Sequence, residues 1–155
     1  MRSFCVVVAL LLSLLSTDAL RAQSAEQDAV YEVVARLFDG MRTRDTASMR
    51  AAFAPSASLT SVSPTGVRRD AIDAWIASVA SAPAGLVLDE RLGKRVVQVR
   101  GDLASVWVDY WFFAGDRFSH CGVDAFVLAR ADGAWRILSV ADTRQREGCG
   151  AAPER

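Results

Sequence analysis

The sequence contains no asparagine, a single lysine (Lys94) and a single histidine (His120). Without asparagine the chain cannot be N-glycosylated, because the acceptor motif begins with that residue. The 18 basic residues are balanced by 18 acidic ones, so the formal net charge at neutral pH is zero. We therefore expect no nucleic acid partner, since binding to a phosphate backbone needs an excess of positive charge.

The sequence also lacks the short motifs that mark common enzyme and cofactor sites. It contains no glycine-rich phosphate loop, no GxSxG nucleophile motif and no HExxH zinc motif. These absences argue against nucleotide hydrolysis, serine hydrolysis and zinc proteolysis. We expect no cofactor and no metal ion, since one histidine and cysteines without a CxxC spacing do not make a zinc site.

What the sequence does contain is typical of one folded domain. Its 155 residues are 52% hydrophobic and 23% charged, which excludes a disordered or fibrous chain. No internal repeat, low-complexity stretch or linker divides the chain. We predict a single domain over residues 23–155, preceded by a signal peptide over residues 1–22.

The N-terminus has the pattern of a secretory signal peptide. Arg2 provides a positive charge, and an almost unbroken apolar run from Phe4 to Leu15 follows it. This run is too short for a membrane-spanning helix, which needs about 20 residues. Cleavage after Ala22 and cleavage after Ala19 both remain open. The mature chain is therefore predicted to be secreted or periplasmic, without membrane contact.

Removal of the signal peptide would leave two of the three cysteines, Cys121 and Cys149. An even number of cysteines in an oxidising compartment favours a disulfide. The glycines on both sides of Cys149 would let the C-terminal tail bend back toward Cys121. We predict a disulfide between them; two unpaired thiols are the alternative, since Cys149 lies beyond the last predicted strand.

Three helices are predicted in the first half of the mature chain. Residues 27–42 repeat apolar side chains at intervals of three and four, as an amphipathic helix does. Asp45 and Asp70 each precede a shorter apolar repeat and are predicted as the N-caps of the second and third helices. Pro55 is predicted to end the second helix, and a short strand that turns at residues 63–66 follows it.

From residue 86 onward the apolar residues alternate with a period of two. Four strands are predicted, over residues 86–100, 103–114, 117–130 and 135–145. Gly-Asp or Asp-Gly pairs separate successive strands, as in tight hairpins. Helices followed by an antiparallel meander predict an α+β fold.

The hairpin turns predict which strand residues lie opposite each other. If the second turn has two residues, paired residue numbers sum to 231 and His120 lies opposite Trp111. The third turn, treated in the same way, gives a sum of 265 and places Ala141 opposite Asp124. One face would then carry Trp107, Asp109, Trp111, His120, Asp124, Phe126, Ser139 and Thr143. A shift of one residue would move every side chain to the other face.

This mixed aromatic and ionisable face is the predicted ligand site, because ligand pockets combine apolar walls with a few polar groups. His120 is an acid–base candidate because an ordinary histidine pKa lies near neutrality. Asp109 stands between two tryptophans, where a strand carboxylate is unusual. We predict Asp109 and His120 as catalytic residues and Trp107, Trp111 and Asp124 as ligand contacts. A solvent-facing position is the alternative for Asp109 and His120.

Two aromatic residues on the predicted helices are further candidates. Tyr31 lies on the first helix and Trp75 lies on the third. Both are predicted ligand contacts, with packing in the core or on the helix surface as the alternative.

Five short segments have the order and spacing of one known protein superfamily. They are Val33–Phe38 with Asp45, Phe53–Ala57, Gly101–Val106, His120–Leu128 and Asp132–Ile137. Over about residues 27–145 the chain resembles the nuclear transport factor 2-like superfamily, in particular its polyketide-cyclase (SnoaL-type) and putative lumazine-binding proteins. The resemblance implies a cone-shaped fold of three N-terminal helices packed on a strongly curved antiparallel sheet, open at one end to a cavity.

The resemblance implies several kinds of function, because the superfamily includes isomerases, dehydratases, epoxide hydrolases and cyclases as well as non-catalytic domains. Its enzymes use strand carboxylates in the cavity, sometimes with a histidine or tyrosine, a role that Asp109, His120 and Asp124 fit. The lumazine-binding members imply a flat heteroaromatic ligand. We expect a protein that binds a small apolar or aromatic molecule. The alternatives are a cofactor-independent lyase, isomerase or hydrolase, and an interaction module that forms a homodimer through the sheet.

Overall fold

The structure, a computed structural model, describes residues 2–154, with side chains from Leu20 onward. The predicted signal peptide, residues 1–22, lies almost entirely outside the described side chains and stays a prediction. Within the part of the chain that is described, no helix is both long and apolar enough to cross a membrane.

Three helices and six strands make up the described chain. The helices are α1 (Arg2–Thr43), α2 (Thr46–Ala52) and α3 (Ile72–Ala80). The strands are β1 (Phe53–Ser63), β2 (Gly66–Asp70), β3 (Leu88–Arg100), β4 (Leu103–Ala114), β5 (Arg117–Ala131) and β6 (Ala134–Thr143). The α+β class is confirmed. Because β1 and β2 come before α3, the prediction of three helices N-terminal to the sheet is not confirmed.

All six strands belong to one sheet with the order β2-β1-β6-β5-β4-β3. β1 and β6 pair in parallel, and the other neighbouring strands pair antiparallel. The predicted four-stranded meander is therefore confirmed as β3 to β6. The hairpin of β1 and β2 extends the sheet beyond β6.

The short helices begin differently from each other. The side chain of Asp45 accepts a hydrogen bond from the backbone N–H of Ser48 at 3.0 Å, so its predicted N-cap role is confirmed. The N-cap of α3 is Ala71, without a side-chain hydrogen bond. The prediction for Asp70 is wrong because this residue ends β2, where its carboxylate pairs with Arg68.

The first helix packs on one face of the sheet, which we call the inner face. Val30, Val34 and Leu37 on α1 are fully buried. The ring of Phe38 meets that of Phe126 on β5 edge to face, with 6.1 Å between the centroids. The predicted apolar stripe of residues 27–42 is therefore the side of α1 that covers the sheet. Each buried side chain of this kind stabilises the fold by about 1.5–3 kcal/mol.

The hairpin of β4 and β5 follows the predicted register only next to its turn. Ser119 is an extra residue in β5, and beyond it Phe112 pairs with His120. Such a β-bulge shifts the pairing by one and exchanges the faces of the residues that follow. The prediction that His120 lies opposite Trp111 is therefore wrong.

A second bulge changes the hairpin of β5 and β6 in the same way. The predicted sum holds near the turn, but Leu138 is an extra residue in β6. As a result Asp124 lies opposite Asp142, and the prediction that it lies opposite Ala141 is wrong.

The two bulges divide the predicted ligand face between both sides of the sheet. The inner face carries Val106, Val108, Tyr110, Phe112, His120, Asp124, Phe126, Val140 and Asp142. The outer face carries Trp107, Asp109, Trp111, Cys121 and Val123. The prediction that Asp109 shares a face with His120 and Asp124 is wrong, because the bulge at Ser119 adds a residue that turn length does not reveal.

The predicted disulfide joins Cys121 on β5 to Cys149 in the C-terminal tail. The indole N–H of Trp111 donates to the carbonyl oxygen of Cys149 at 2.9 Å. Gln145 and Cys121 exchange two backbone hydrogen bonds of 2.9 Å. These contacts hold the tail against the outer face. A disulfide of this kind is typical of proteins from oxidising compartments.

Candidate functional site

A cavity of about 50 Å³ lies between α1 and the inner face of the sheet. Its apolar walls come from Leu37, Phe38, Phe53, Leu59, Trp75, Phe126 and Val140. Its polar groups come from Glu90, Tyr110, His120, Asp124, Asp142 and Arg144. The combination of apolar and aromatic walls with a compact polar cluster is typical of small-molecule sites.

A second, larger cavity lies beside the inner one, against α3. This outer cavity has a volume of about 430 Å³, and it shares Trp75, Glu90, His120 and Arg144 with the inner one. The inner cavity exceeds the space of one water molecule, and the outer one is in the size range of ligand pockets.

Two carboxyl groups lie together in the inner cavity. Glu90 on β3 and Asp124 on β5 are hydrogen-bonded through their side chains, and Asp124 is 3% exposed. Removal from water raises the pKa of Glu90 to about 8. The pKa of Asp124 is also raised well above its ordinary value, first by burial and then by the charge of Glu90. The pair therefore retains a proton at neutral pH, because two ionised carboxylates in contact repel each other.

A third carboxylate, Asp142, is balanced by its own partners. Its two oxygens accept hydrogen bonds from the Ser61 hydroxyl at 2.6 Å and from Arg144 Nε at 2.5 Å. Asp142 lies opposite Asp124 because of the bulge in β6. Arg144 thus supplies the positive charge of the polar cluster.

Tyr110 lies under the polar cluster and is 2% exposed. Its hydroxyl donates to the carbonyl oxygen of Thr143 at 2.7 Å. Burial, together with the nearby carboxylates, raises its pKa far above the ordinary range, so the phenol stays protonated. β5 and β6 approach each other so closely here that a Cβ at Gly122 would overlap the Thr143 carbonyl, which explains why position 122 is a glycine.

His120 lies at the junction of the two cavities. Its Nδ1 is 3.0 Å from the Ser119 hydroxyl, and its ring packs against Tyr110 and Phe112 with centroid distances of 5.7 and 5.1 Å. Burial, and then the charge of Arg144, lower its pKa. The imidazole is therefore neutral at pH 7 and can accept or donate one hydrogen bond.

The structure brings three of the predicted site residues to the cavity and leaves four outside. His120, Asp124 and Trp75 line it. Asp109, Trp107 and Trp111 lie on the outer face, where Trp107 is 56% exposed and Trp111 is bonded to the tail. The fourth, Tyr31 on α1, packs under the guanidinium group of Arg95, 3.9 Å from the ring centroid.

Four polar residues of the cavity were not predicted from the sequence. They are Glu90, Tyr110, Asp142 and Arg144. Glu90 carried a recognisable signal, because it alternates with Leu88 and Leu92 on one face of a predicted strand. Asp142 carried none, since its face depends on the bulge at Leu138.

A family model described as "putative lumazine-binding" matches residues 25–141 of the chain. This match spans α1 from its middle through most of β6 and includes the inner cavity except for two of its polar residues. None of the curated proteins matches the chain.

Several solved structures share the fold. A nuclear transport factor 2-like protein of unknown function from Silicibacter pomeroyi is 23% identical, with a TM-score of 0.63 over 79% of this chain and 98% of that chain. A nuclear transport factor 2-like protein with a cystatin-like fold from Novosphingobium aromaticivorans is 19% identical, with a TM-score of 0.64 over 89% and 94%. A protein described as a putative dehydratase of the same family from Streptomyces avermitilis is 16% identical, with a TM-score of 0.62 over 79% and 98%. Identities below 25% indicate a common architecture and leave the ligand open.

Proposed function

Because the chain belongs to the putative lumazine-binding family of the nuclear transport factor 2-like superfamily, we propose that it binds a small molecule with an apolar or aromatic body in the cavity between α1 and the sheet. The observation that carries this proposal is the pair of adjacent cavities, of which the inner one combines apolar walls with a polar cluster, while the outer one adds apolar side chains together with Arg68, Asp70 and Ser78. The cone-shaped sheet implied by the resemblance is part of the same proposal.

The walls favour a ligand that enters past Trp75. This side chain borders both cavities and is held edge to face against Phe53, with 6.2 Å between the ring centroids. An aromatic body beside Trp75 would lie between α3 and the ring of Phe112, which lines the outer cavity. The polar end of the ligand would then reach Glu90 and Asp124.

An uncharged aromatic dye, N-phenyl-1-naphthylamine, tests this proposal by the rise in its fluorescence on binding. We expect Trp75→Ala to weaken binding about tenfold, the equivalent of one lost aromatic contact. Trp107→Ala is the matched control, because this tryptophan lies on the outer face, and it should leave the affinity unchanged. No binding to the wild-type protein, or an equal loss in both variants, would contradict a site in the cavity.

A second candidate function is proton transfer without a cofactor, favoured by the hydrogen-bonded carboxyl pair. A carboxyl whose pKa is raised toward neutrality can act as a general acid or base at physiological pH. Glu90 and Asp124 meet this condition, and the neutral imidazole of His120 is a further proton acceptor in the same cavity. Asp109 has no part in this proposal, because it lies on the other face of the sheet.

This second function predicts a specific loss in Asp124→Asn. Exchange of the α-protons of a panel of ketones, followed by NMR in heavy water, measures proton transfer without knowledge of the natural substrate. We expect a loss of about 100-fold or more in Asp124→Asn. Asp28→Asn on the exposed side of α1 is the control. Exchange at the wild-type rate in Asp124→Asn would exclude the carboxyl pair as the catalytic group.

The proposal also includes two predictions from the sequence, export from the cytoplasm and a homodimer. Export through the signal peptide is supported by the disulfide. A homodimer through the outer face is supported by its exposed apolar side chains, which are Val96, Leu103, Trp107 and Val127. Sedimentation velocity of the wild-type protein and a Trp107→Glu variant distinguishes a dimer from a monomer.

A further inference from the structure

One buried oxygen atom of the inner cavity has no partner besides the neighbouring carboxyl group. Asp124 is 3% exposed, and apart from Glu90, with which its side chain is hydrogen-bonded, the described residues offer its Oδ2 no hydrogen-bond partner. Buried carboxyl oxygens are almost always hydrogen-bonded, because desolvation without a partner costs about 1–3 kcal/mol or more. Asp124 lines the cavity, so a bound molecule can supply the missing donor.

The groups that face Asp124 favour a positively charged donor. Carboxyl groups face it from β3, as Glu90, and from β6, as Asp142. The hydroxyl of Tyr110 on β4 stays protonated and donates its hydrogen bond to the backbone carbonyl of Thr143, and His120 is neutral. On the other side, α1 contributes only apolar side chains to the cavity.

The positive charge of the polar cluster is already paired with a carboxylate. Arg144 supplies the only cation among the described residues of the inner cavity, and its Nε is bonded to Asp142. Arg68, which lines the outer cavity, is paired with Asp70. When Glu90 and Asp124 ionise, the cavity has three carboxylates against one guanidinium group. A ligand that brings a second positive charge would restore the balance.

We propose that the ligand of the cavity carries a cationic nitrogen, as an ammonium or amidinium group, that donates a hydrogen bond to Oδ2 of Asp124. This inference rests on the proposed small-molecule binding and specifies the chemistry of the ligand. The volume of the inner cavity, about 50 Å³, suits a head group of a few atoms, and the larger cavity beside it takes the apolar body. Aromatic rings at both levels, Trp75 and Phe126, add favourable contacts for a cation.

Binding of a cation should release a proton from the carboxyl pair. Because Glu90 and Asp124 retain a proton at neutral pH and a cation favours their ionised form, the affinity should increase with pH up to the pKa of Glu90, about 8. The increase is about tenfold for each pH unit when one proton is released per ligand. A neutral ligand that accepts the retained proton in a hydrogen bond would show no increase.

Three flat molecules of nearly the same shape test this inference by isothermal titration calorimetry. Benzamidine is cationic, benzamide is neutral and benzoate is anionic. We expect benzamidine to bind at least tenfold more tightly than benzamide at pH 8, and benzoate not to bind. We also expect the affinity for benzamidine to increase about fivefold from pH 7 to pH 8, with proton release to the buffer, because the increase per pH unit falls below tenfold close to the pKa of Glu90.

Variants assign the effect to the carboxyl pair. Asp124→Asn should remove the preference for benzamidine over benzamide, and Glu90→Gln should remove the proton release even if the first variant folds poorly. Asp28→Asn, with an exposed carboxylate on α1, should retain both effects. Three results would each overturn the proposal of a cationic ligand and leave small-molecule binding intact. They are equal binding of benzamide and benzamidine, an affinity for benzamidine that does not change with pH, and a preference for benzamidine that persists in Asp124→Asn. Failure of all three molecules and of the uncharged dye would overturn the proposed function itself.

Discussion

The free energy of unfolding is expected to decrease as the pH rises from 5 to 8, and Glu90→Gln should remove most of that decrease. The pKa of Glu90 is raised from its ordinary value of 4.5 to about 8 by removal from water. Between these values the folded protein binds a proton that the unfolded chain has lost, so stability declines as the pH rises. The slope is about 1.4 kcal/mol for each pH unit, or up to about 4 kcal/mol over this interval.

Two other groups of the cavity also contribute to the pH dependence of the free energy of unfolding. Asp124, with its pKa also raised, contributes in the same direction as Glu90. His120 contributes in the opposite direction below pH 6.5, because its pKa is lowered and the unfolded chain binds the extra proton. The difference between the wild type and Glu90→Gln therefore isolates the contribution of Glu90 better than the wild-type curve alone.

Urea denaturation at pH 5 and pH 8 gives the required free energies. Glu32→Gln is the matched control, since the side chain of Glu32 is 60% exposed on α1, and its pH dependence should equal that of the wild type. Glu90→Gln should be less dependent on pH by at least about 2 kcal/mol, which allows for residual solvent contact of the carboxyl group. Equal pH dependence in Glu90→Gln and the wild type would show that the carboxyl of Glu90 is hydrated in solution.

Removal of the disulfide is expected to lower the free energy of unfolding by about 3.5 kcal/mol. Cys121 and Cys149 are 28 residues apart in the sequence. In the loop-closure description, a cross-link over that separation removes enough entropy from the unfolded chain to account for this value. The variant for this experiment replaces both cysteines with serine, which avoids a single reactive thiol.

The same change should release the C-terminal tail and leave the cavity in place. Without the disulfide, the tail is held only by the hydrogen bond from Trp111 to the Cys149 carbonyl and by the backbone hydrogen bonds between Gln145 and Cys121. These contacts lie outside the cavity, so the effect of the change should be local to the tail. Hydrogen exchange should become faster in residues 145–154 and stay slow in β4 and β5. Reduction of the wild-type protein by dithiothreitol should reproduce the stability loss, and the double variant should not respond to the reagent. A loss below about 1 kcal/mol would mean that the unfolded chain is compact without the cross-link.

Local patterns in the sequence identified most of the architecture. The period of two from residue 86 and the glycine–aspartate turns located β3 to β6 within about two residues, because strand formation and tight turns depend on neighbouring residues. The apolar repeat of residues 27–42 identified the packed side of α1 for the same reason. The segments that resemble the superfamily identified it correctly, as the family match confirms.

The candidate site could be predicted only in part. His120, Asp124 and Trp75 were recognised from their residue types and do line the cavity. The grouping of His120 and Asp124 with Asp109 depended on a two-residue turn followed by regular pairing of β4 with β5, and the bulge at Ser119 violates that assumption. The parallel pairing of β1 with β6 brings Ser61 to Asp142. Hairpin turns could not predict this pairing, because the two strands are far apart in sequence.

The sequence by itself thus determined the α+β class, the order of the meander, the side of α1 that is buried and the two cysteines that pair. Each of these follows from contacts between residues close in the chain, or from counting. Only the tertiary structure decided which face of the sheet bears the chemistry. A single extra residue at Ser119 and another at Leu138 exchange the faces of the strands that follow, because side chains alternate with a period of two. In this way four ionisable groups, Glu90, His120, Asp124 and Asp142, meet beneath α1 while Asp109 lies on the outer face.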